Sequence, residues 1–219
     1  MIMRKYLLFS LFGLLVVSGC GPQRLSKSYS EDNLKQIGLA IMNYDAVYDG
    51  LPETGGTGSK FPTPGYSFRV AILPFVEQEN LYKSVFPGGT PRPGTGAPSK
   101  DVWNNPKLLG HNVKLYNTDP TDPTKTNYRV IWGGGVYDEK GMPVTRMNLP
   151  RTNVILVVEA AESVVWTKPD ELVYRADQPL PKFGLDVVGF NAVMLDGSTR
   201  WIPNDTPEAE IRKLITGGK

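Results

Sequence analysis

Residues 28–48 constrain the fold of this chain most, because they form its clearest amphipathic helix. The spacing of Ser28 and Glu31 indicates a capping box, and Gly50 is a candidate helix stop. A helix of this length spans roughly 30 Å, so we expect the rest of the chain to pack against it. The apolar residues that recur at helical spacing are Leu34, Ile37, Ile41, Tyr44 and Tyr48, and Leu39, Ala40 and Met42 widen the stripe.

A short hydrophobic leader precedes this helix. Two basic residues are followed by an apolar run over residues 6–17, which is shorter than the roughly 20 residues that span a bilayer. This pattern is typical of a secretory signal peptide. The run ends in VSGC at residues 17–20, which resembles the lipobox of bacterial lipoproteins. In a lipobox the signal is cleaved just before the cysteine, here between Gly19 and Cys20, and the cysteine is acylated.

Cys20 is the only cysteine in the chain, so it cannot form an internal disulfide, and lipidation accounts for its presence. The alternative is an incidental cysteine at the end of an ordinary signal or membrane anchor. We predict a signal peptide over residues 1–19, a palmitate-bearing tether over residues 20–27 and one domain over residues 28–219. Several acyl chains on one residue would hold the protein firmly, since each buried CH₂ contributes about 0.8 kcal/mol.

The charge balance argues against a nucleic-acid partner. The chain has 24 basic and 22 acidic residues. Removing residues 1–19 takes away Arg4 and Lys5 and no acidic residue, which leaves a formally neutral domain. A neutral domain offers no basic field for nucleic acid. We therefore expect two kinds of partner: a membrane, reached through the N-terminal lipid, and an envelope protein or a glycan.

The remaining segments predict short helices followed by strands. Residues 65–86 keep a helical period that Pro74 must interrupt, and residues 206–215 predict a last helix. The pair Asp196-Gly197 indicates a hairpin with a type I′ turn, which needs positive φ at both positions. The fold class predicted is α+β, with the long N-terminal helix packed on a C-terminal antiparallel sheet. Strands are predicted over residues 112–116, 127–132, 153–160, 163–166, 190–195 and 198–202.

Many of these segments together resemble the DUF1559 family, which is abundant in planctomycetes and whose C-terminal module is named for an H-X9-DG motif. The resemblance implies a pilin- or pseudopilin-like fold and brings no established catalytic activity. Asp196 and Gly197 match the DG pair, and Asp186 stands where the family usually has His. Most members carry a type IV prepilin leader, whereas this chain carries a lipobox. The matching residues are 33–40, 43–44, 65–70, 73–78, 119–120, 126–128, 152–160, 166–169, 190–191 and 196–198.

Candidate catalytic and metal-binding residues are few. His111 is the only histidine and has no nucleophile in a known motif beside it, so we interpret it as a loop residue. One His and one lipidated Cys cannot fill a zinc site. Asp119 and Asp122, in the sequence TDPTDPTKTN, are candidate Ca²⁺ ligands because Ca²⁺ prefers oxygen. They lack the Gly and Glu of an EF-hand loop, however, and Asp-Pro is a common turn opener.

Two further sets of residues leave alternatives open. Glu159 with Glu162, or Asp186 with Asp196, could supply the carboxylate pair of a hydrolase, because such pairs are defined in space and not along the sequence. Tryptophan can stack on sugars, although packing is its more common role, and the chain has Trp103, Trp132, Trp166 and Trp201.

The sequence thus favours a lipid-anchored envelope protein that is not an enzyme and has a structural or interaction role. The residue after Cys20 is Gly21 and not Asp, which favours the outer membrane over the inner membrane. The first alternative is a lipid-tethered binding module for a glycan, a peptide or Ca²⁺ that uses the long loop at residues 87–106. The more distant alternative is a carboxylate-dependent envelope hydrolase.

Overall fold

Helix α1 (Lys27–Tyr48) carries the predicted apolar stripe. The computed structural model describes residues 27–54, 65–87, 102–144, 149–185 and 188–218. Leu34, Ile37 and Ile41 are fully buried, as their spacing predicts. Leu39 is 61% exposed because it lies on the opposite side of the helix, so its assignment to the stripe is wrong.

The two ends of α1 differ in detail from the sequence-based expectation. The helix begins at Lys27, so Ser28 lies inside the first turn and does not match the N-cap position of the predicted capping box. The Glu31 carboxylate lies 2.8 Å from Lys35 Nζ, one turn further along. At the other end, Asp49 and not Gly50 adopts the left-handed conformation, with φ of 56°.

Residues 65–86 form short helices on either side of Pro74, as predicted. Helix α2 (Phe68–Ala71) precedes a 3₁₀ turn at Leu73–Val76, and α3 (Glu79–Val85) follows it. Proline is tolerated here because it occupies the first turn of the 3₁₀ segment, where its missing N–H is not needed. Helix α4 (Pro106–Leu109) was not predicted; the Asn105 side chain caps it by accepting from the Lys107 N–H at 2.9 Å.

The strands are β1 (Lys125–Arg129), β2 (Ile131–Trp132), β3 (Ile155–Val165), β4 (Leu172–Val173), β5 (Gly189–Met194) and β6 (Thr199–Pro203). Four of them form an antiparallel sheet in the order β1-β3-β5-β6. Strands β2 and β4 pair separately, in parallel. The α+β class is confirmed, and the very apolar β3 is an internal strand, as predicted.

Other strand predictions are corrected by the structure. Residues 112–116 form turns and not a strand, since Tyr116 N donates to Val113 O at 2.8 Å. The segment 127–132 is divided at Val130 into β1 and β2, which belong to different sheets. The two predicted strands at 153–160 and 163–166 are one continuous strand, β3, of eleven residues.

The β5–β6 hairpin is confirmed, but its turn is not of type I′. Only Gly197 has positive φ, at 87°, and Asp196 does not. Gly197 N donates to Met194 O at 2.9 Å, and Met194 N donates to Ser198 O at 2.8 Å. This is the pattern of a three-residue hairpin loop, in which a tight turn is followed by a glycine in the left-handed region.

Helices cover both faces of the sheet. Helix α1 packs on one face, where its buried residues share an apolar cluster with Val157 and Val193. The last helix, α5 (Glu208–Thr216), buries Ile211, Leu214 and Ile215 on the other face. The run of three glycines at residues 133–135 contacts the C-terminal end of α5, because Gly135 N donates to Ile215 O at 2.8 Å. A side chain at Gly135 would place its Cβ 2.6 Å from Thr216 O.

Candidate functional site

A buried polar cluster lies where the start of α1 meets the sheet. We call it the Glu159 cluster and define it as Ser30, Asn33, Tyr128, Glu159 and Asn191, all of them buried. One carboxylate oxygen of Glu159 accepts the Asn191 main-chain N–H at 2.6 Å. The other accepts the Asn191 side-chain amide at 3.3 Å and the Ser30 hydroxyl. The carboxylate therefore joins β3 to both β5 and α1.

Tyr128 extends this cluster to β1. Its hydroxyl oxygen lies 3.0 Å from Ser30 Oγ and accepts from Asn33 Nδ2 at 3.3 Å. Burial raises the pKa of the Tyr128 phenol, and its hydrogen bonds with Ser30 and Asn33 oppose this rise. The phenol is therefore protonated at neutral pH and can donate a hydrogen bond as well as accept one. Three strands and one helix thus meet in a single hydrogen-bonded group.

The chemistry open to the Glu159 cluster is limited by its burial. Glu159 is only 3% exposed, so its carboxylate lies away from solvent. A buried carboxylate is costly unless it is hydrogen-bonded, and hydrogen bonds to a charged acceptor are stronger than neutral ones. Asn191 supplies donors from β5, whereas the Ser30 hydroxyl can offset that cost only when α1 is seated on the sheet. The arrangement can therefore hold the start of α1 at one position.

A second buried polar group surrounds Arg69, whose side chain is fully buried. The guanidinium donates to three main-chain carbonyls: Trp166 O at 2.7 Å, Tyr128 O at 2.6 Å and Lys168 O at 2.9 Å. Because Arg presents its donors in a rigid planar fork, it binds these three points of the backbone together. Arg69 thereby holds α2 against β1 and the segment that follows β3.

Glu171 neutralises Arg69. Its Oε1 lies 3.1 Å from Arg69 Nη2, and its Oε2 accepts the Val130 N–H at 2.9 Å. Burial raises the pKa of the Glu171 carboxyl, and the charge of Arg69 opposes this rise. Arg129 lies next to the pair, with Nη2 at 3.4 Å from Asp170 Oδ1, and burial lowers its pKa. The group ties β1 to the segment before β4.

Of the residues in the Glu159 cluster and around Arg69, Glu159 was a candidate from the sequence, and most of the others were not. Glu159 and Asn191 could have been found as polar residues inside otherwise apolar strands, ILVVEAA and GFNAVM. Arg69 entered only through the family resemblance. Glu171 lies in a polar stretch, and a buried ion pair between distant segments leaves no periodic pattern, so no signal in the sequence marks it.

The candidate Ca²⁺ ligands lie close together in one loop, but each carboxylate accepts hydrogen bonds within its own turn. Asp119 Oδ1 accepts the Thr121 N–H at 2.8 Å and its hydroxyl at 2.6 Å. Asp122 Oδ1 accepts the Thr124 N–H at 3.0 Å and its hydroxyl at 2.6 Å. Within the described ranges, no group of three or more His, Cys, Asp or Glu side chains could hold a metal ion. Calcium binding here stays a prediction.

The Asp196-Gly197 pair also has a local role. Asp196 Oδ1 accepts the Ser198 N–H at 2.9 Å and the Ser198 hydroxyl at 2.6 Å. Partial burial raises the pKa of Asp196, but the hydrogen bonds from Ser198 more than offset this and lower the pKa below its usual value. The next residue, Gly197, lies directly under α1, because a Cβ there would be 3.0 Å from Met42 Cγ.

His111 and the tryptophans are placed largely as expected. His111 is exposed, and its Nδ1 lies 3.2 Å from Lys107 O. Trp166 and Trp132 belong to the core, and Trp132 Nε1 donates to Thr54 Oγ1 at 2.6 Å. Trp103 and Trp201 are partly exposed and remain the candidates for sugar stacking.

Several predicted sites lie outside the described residues: Gly19, Cys20, Asp186 and most of the loop at residues 87–106. The signal peptide, the lipidation and the position that corresponds to the family His therefore stay predictions. In the parts of the chain that the structure describes, none of the helices combines the length and the apolar character needed to cross a bilayer.

These observations define a class of protein: an α+β domain whose long first helix is bound to an antiparallel sheet through a buried carboxylate. A family model described as "Protein of unknown function (DUF1559)" matches residues 28–155, and the chain belongs to this family. The match includes Ser30, Asn33, Arg69 and Tyr128 and ends at the first residue of β3. Comparison with curated proteins found no match, and comparison with solved structures found none either.

Proposed function

We propose that this protein is a lipid-anchored component of the bacterial cell envelope with a structural or interaction role and without catalysis. The observation that carries the proposal is the position of the Glu159 cluster. It fixes the start of α1 to three strands of the sheet, only seven positions after the lipobox cysteine Cys20. A firm attachment of this kind transmits the position of an acylated N-terminus to the whole domain.

The hydrogen-bonding of the acidic residues supports a role without catalysis. A general acid or base must reach the proton that it transfers. Glu159 and Glu171 are buried, and each accepts a main-chain N–H. Asp119, Asp122 and Asp196 each accept hydrogen bonds from a residue two positions further along. These carboxylates stabilise the fold and its turns.

The packing of α1 supports a pseudopilin-like architecture. A 22-residue helix lies on one face of a four-stranded antiparallel sheet, as the family resemblance implies for this class. The lipobox replaces the prepilin leader, so we propose anchoring by lipid in place of assembly through an apolar helix. The partner would be another envelope protein or a glycan.

Intact mass and the N-terminal peptide of the membrane-extracted protein test the anchor, with Cys20→Ala measured beside it. We expect a chain that begins at an acylated Cys20, and a variant that is unprocessed or released from the membrane. Separating inner from outer membranes by density tests the location, which we propose to be the outer membrane. A chain that retains residues 1–19, or is cut elsewhere without lipid, would contradict the proposal.

A binding role for a glycan, a peptide or Ca²⁺ is the second candidate. It is favoured by the partly exposed Trp103 and by the paired turns at Asp119 and Asp122. A ligand that binds only the folded state must stabilise it. The melting temperature, measured with Ca²⁺ or cell-wall fragments at high concentration, should rise if this role is real, and an unchanged value counts against it.

A further inference from the structure

We propose that the surface around the start of α1 lies against the headgroup region of the phospholipid bilayer that holds the anchor. We call this surface the tether-side patch and define it as Lys27, Tyr29, Val188 and Trp201. The proposal rests on the proposed function, because it needs an acylated Cys20.

The length of chain before α1 limits where the domain can lie. Seven positions separate Cys20 from Lys27, and a fully extended chain covers at most about 3.6 Å per residue. Lys27 therefore lies within about 25 Å of the bilayer surface. Helix α1 is itself about 33 Å long. The Lys27 end of the helix, and not the Tyr48 end, is held at the membrane.

Contacts join the first residue of α1 to the open end of the β5–β6 hairpin. Lys27 Nζ lies 3.8 Å from the centre of the Trp201 ring, and Lys27 O accepts the Asn191 side-chain amide at 3.3 Å. The Trp201 ring lies over Gly189, where a Cβ would come within 2.6 Å of it. Val188 immediately precedes Gly189, the first residue of β5.

The exposed groups of the patch suit an interface between water and lipid. Tyr29 is 43% exposed and Val188 is 61% exposed, while Trp201 is partly exposed. Tyr and Trp present an apolar ring with a polar end, which favours the interface of a membrane. Lys can lay its apolar stem along such a surface and direct its ammonium group to a phosphate.

The nearby acidic side chains do not oppose this contact strongly. The carboxylates of Glu31 and Asp32 lie 2.8 Å and 3.7 Å from Lys35 Nζ, which offsets one of their two negative charges. Lys27, at the start of the same helix, carries a second positive charge, so the first turns of α1 are formally neutral. The Glu159 cluster holds the first turn of α1 and β5 in one arrangement. The patch therefore has a fixed orientation relative to the tether.

Nitroxide labels at Val188→Cys and Val47→Cys test the proposal in the full acylated chain, reconstituted in phosphatidylethanolamine–phosphatidylglycerol vesicles. The two sites are matched, because Val47 is 63% exposed and Val188 is 61% exposed, and they lie toward opposite ends of the α1 face. The sulfur of an acylated Cys20 is taken by the lipid, so each introduced cysteine is the one free thiol. The measured quantity is the accessibility of each label to oxygen relative to a water-soluble nickel complex.

We expect the oxygen-to-nickel ratio to rise at residue 188 on reconstitution and to stay at its aqueous value at residue 47. Vesicle flotation and the mass of the N-terminal peptide are measured on the same samples. If the acylated protein floats and both labels stay aqueous, or both enter lipid, the proposed contact between the tether-side patch and the membrane is contradicted. The proposed lipid anchor is then still supported. If Cys20 carries no lipid and the protein does not float, the proposed function fails and this inference fails with it.

Discussion

Single polar side chains in this protein join segments that are far apart along the chain. Arg69 donates to three carbonyls, and Glu159 accepts from both α1 and β5. A hydrogen bond contributes only modestly to stability when it is made, but a buried partner left without one is costly. Such residues therefore favour one packing arrangement over its alternatives, because any shift of α1 or α2 would leave them unsatisfied.

Replacing Glu159 with Gln should destabilise the fold. The amide keeps one acceptor but loses the charge, and its NH₂ group would face the donors of Ser30 and Asn191. Because hydrogen bonds to a charged group contribute about 1.5–3 kcal/mol, we expect a loss of that order in the free energy of unfolding, measured with urea. Glu162→Gln is the matched control, since Glu162 is exposed on the same strand and should change stability by less than about 0.5 kcal/mol. Equal effects of the two changes would contradict this role for Glu159.

The turn at Asp196 should contribute stability that depends on pH. Its pKa is lowered in the folded state, so the ionised carboxylate stabilises the fold at pH values above its unfolded pKa, near 3.9. This contribution is lost as the pH falls through the lowered folded value. We expect Asp196→Asn to be less stable than the unmodified protein at pH 7, and the difference to become smaller as the pH falls below the unfolded pKa of Asp196. A difference in unfolding free energy that stays constant over this range would rule out the carboxylate as its source.

At the scale of elements, α1 approaches the β5–β6 hairpin closely. A Cβ on Gly38 would lie 2.8 Å from Val193 Cγ1 and 3.0 Å from Gly197 O. Gly197 in turn leaves room for Met42. Two glycines that are distant in sequence therefore allow the helix to rest directly on the turn.

Gly38→Ala should destabilise the protein although alanine favours helices. The gain in helix propensity is at most about 1 kcal/mol, while forcing an extra methyl group into a packed contact costs about 1–3 kcal/mol. We expect a net fall in the urea midpoint. Gly50→Ala is the control, because a Cβ at Gly50 meets no atom within 4 Å and the residue has no positive φ. If both variants unfold at the same urea midpoint, the close packing of α1 on the hairpin is not the reason that position 38 requires glycine.

The elements with a regular apolar pattern were predictable from the sequence, and those set by distant contacts were not. The stripe of α1, the run of β3 and the hairpin at Asp196-Gly197 are local signals. The division at Val130 arises from contacts with another segment, because Leu172 N donates to Val130 O at 3.1 Å. In residues 112–116 the apolar Val113 and Leu115 alternate with Lys114, which suggests a strand, whereas the turns found there bury Val113 and Tyr116, three positions apart.

The candidate site was predictable only in part, for the same reason. Glu159 interrupts an apolar strand and was therefore noticed, but its partner Ser30 lies 129 positions away. Arg69 and Glu171 are 102 positions apart. Spacing along a chain carries no information about such pairs, whereas the three-dimensional packing of α2 against the sheet places them together.

For the whole molecule, the internal strands should form its most stable part. Strands β3 and β5 each have a strand on both sides, while β6 is at an edge. Amides that open only when the whole domain unfolds exchange most slowly with solvent. We expect hydrogen exchange to be slowest in β3 and β5 and faster in β6 and in α5. Protection in β6 equal to that in β3 would show that its outer edge is covered by another element or molecule.

The docking of α1 on the sheet has a consequence for how the chain must be made. The helix comes early in the chain, but the groups that hold it come late: Lys27 O binds a side chain 164 positions further on. Because the polypeptide is synthesised from its N-terminus, the apolar face of α1 has no sheet to cover it until β5 has been made. Contacts of such long range make folding slow, and early apolar segments invite aggregation. A chaperone that shields the newly made helix would therefore raise the yield of folded protein more than one that acts on the completed chain.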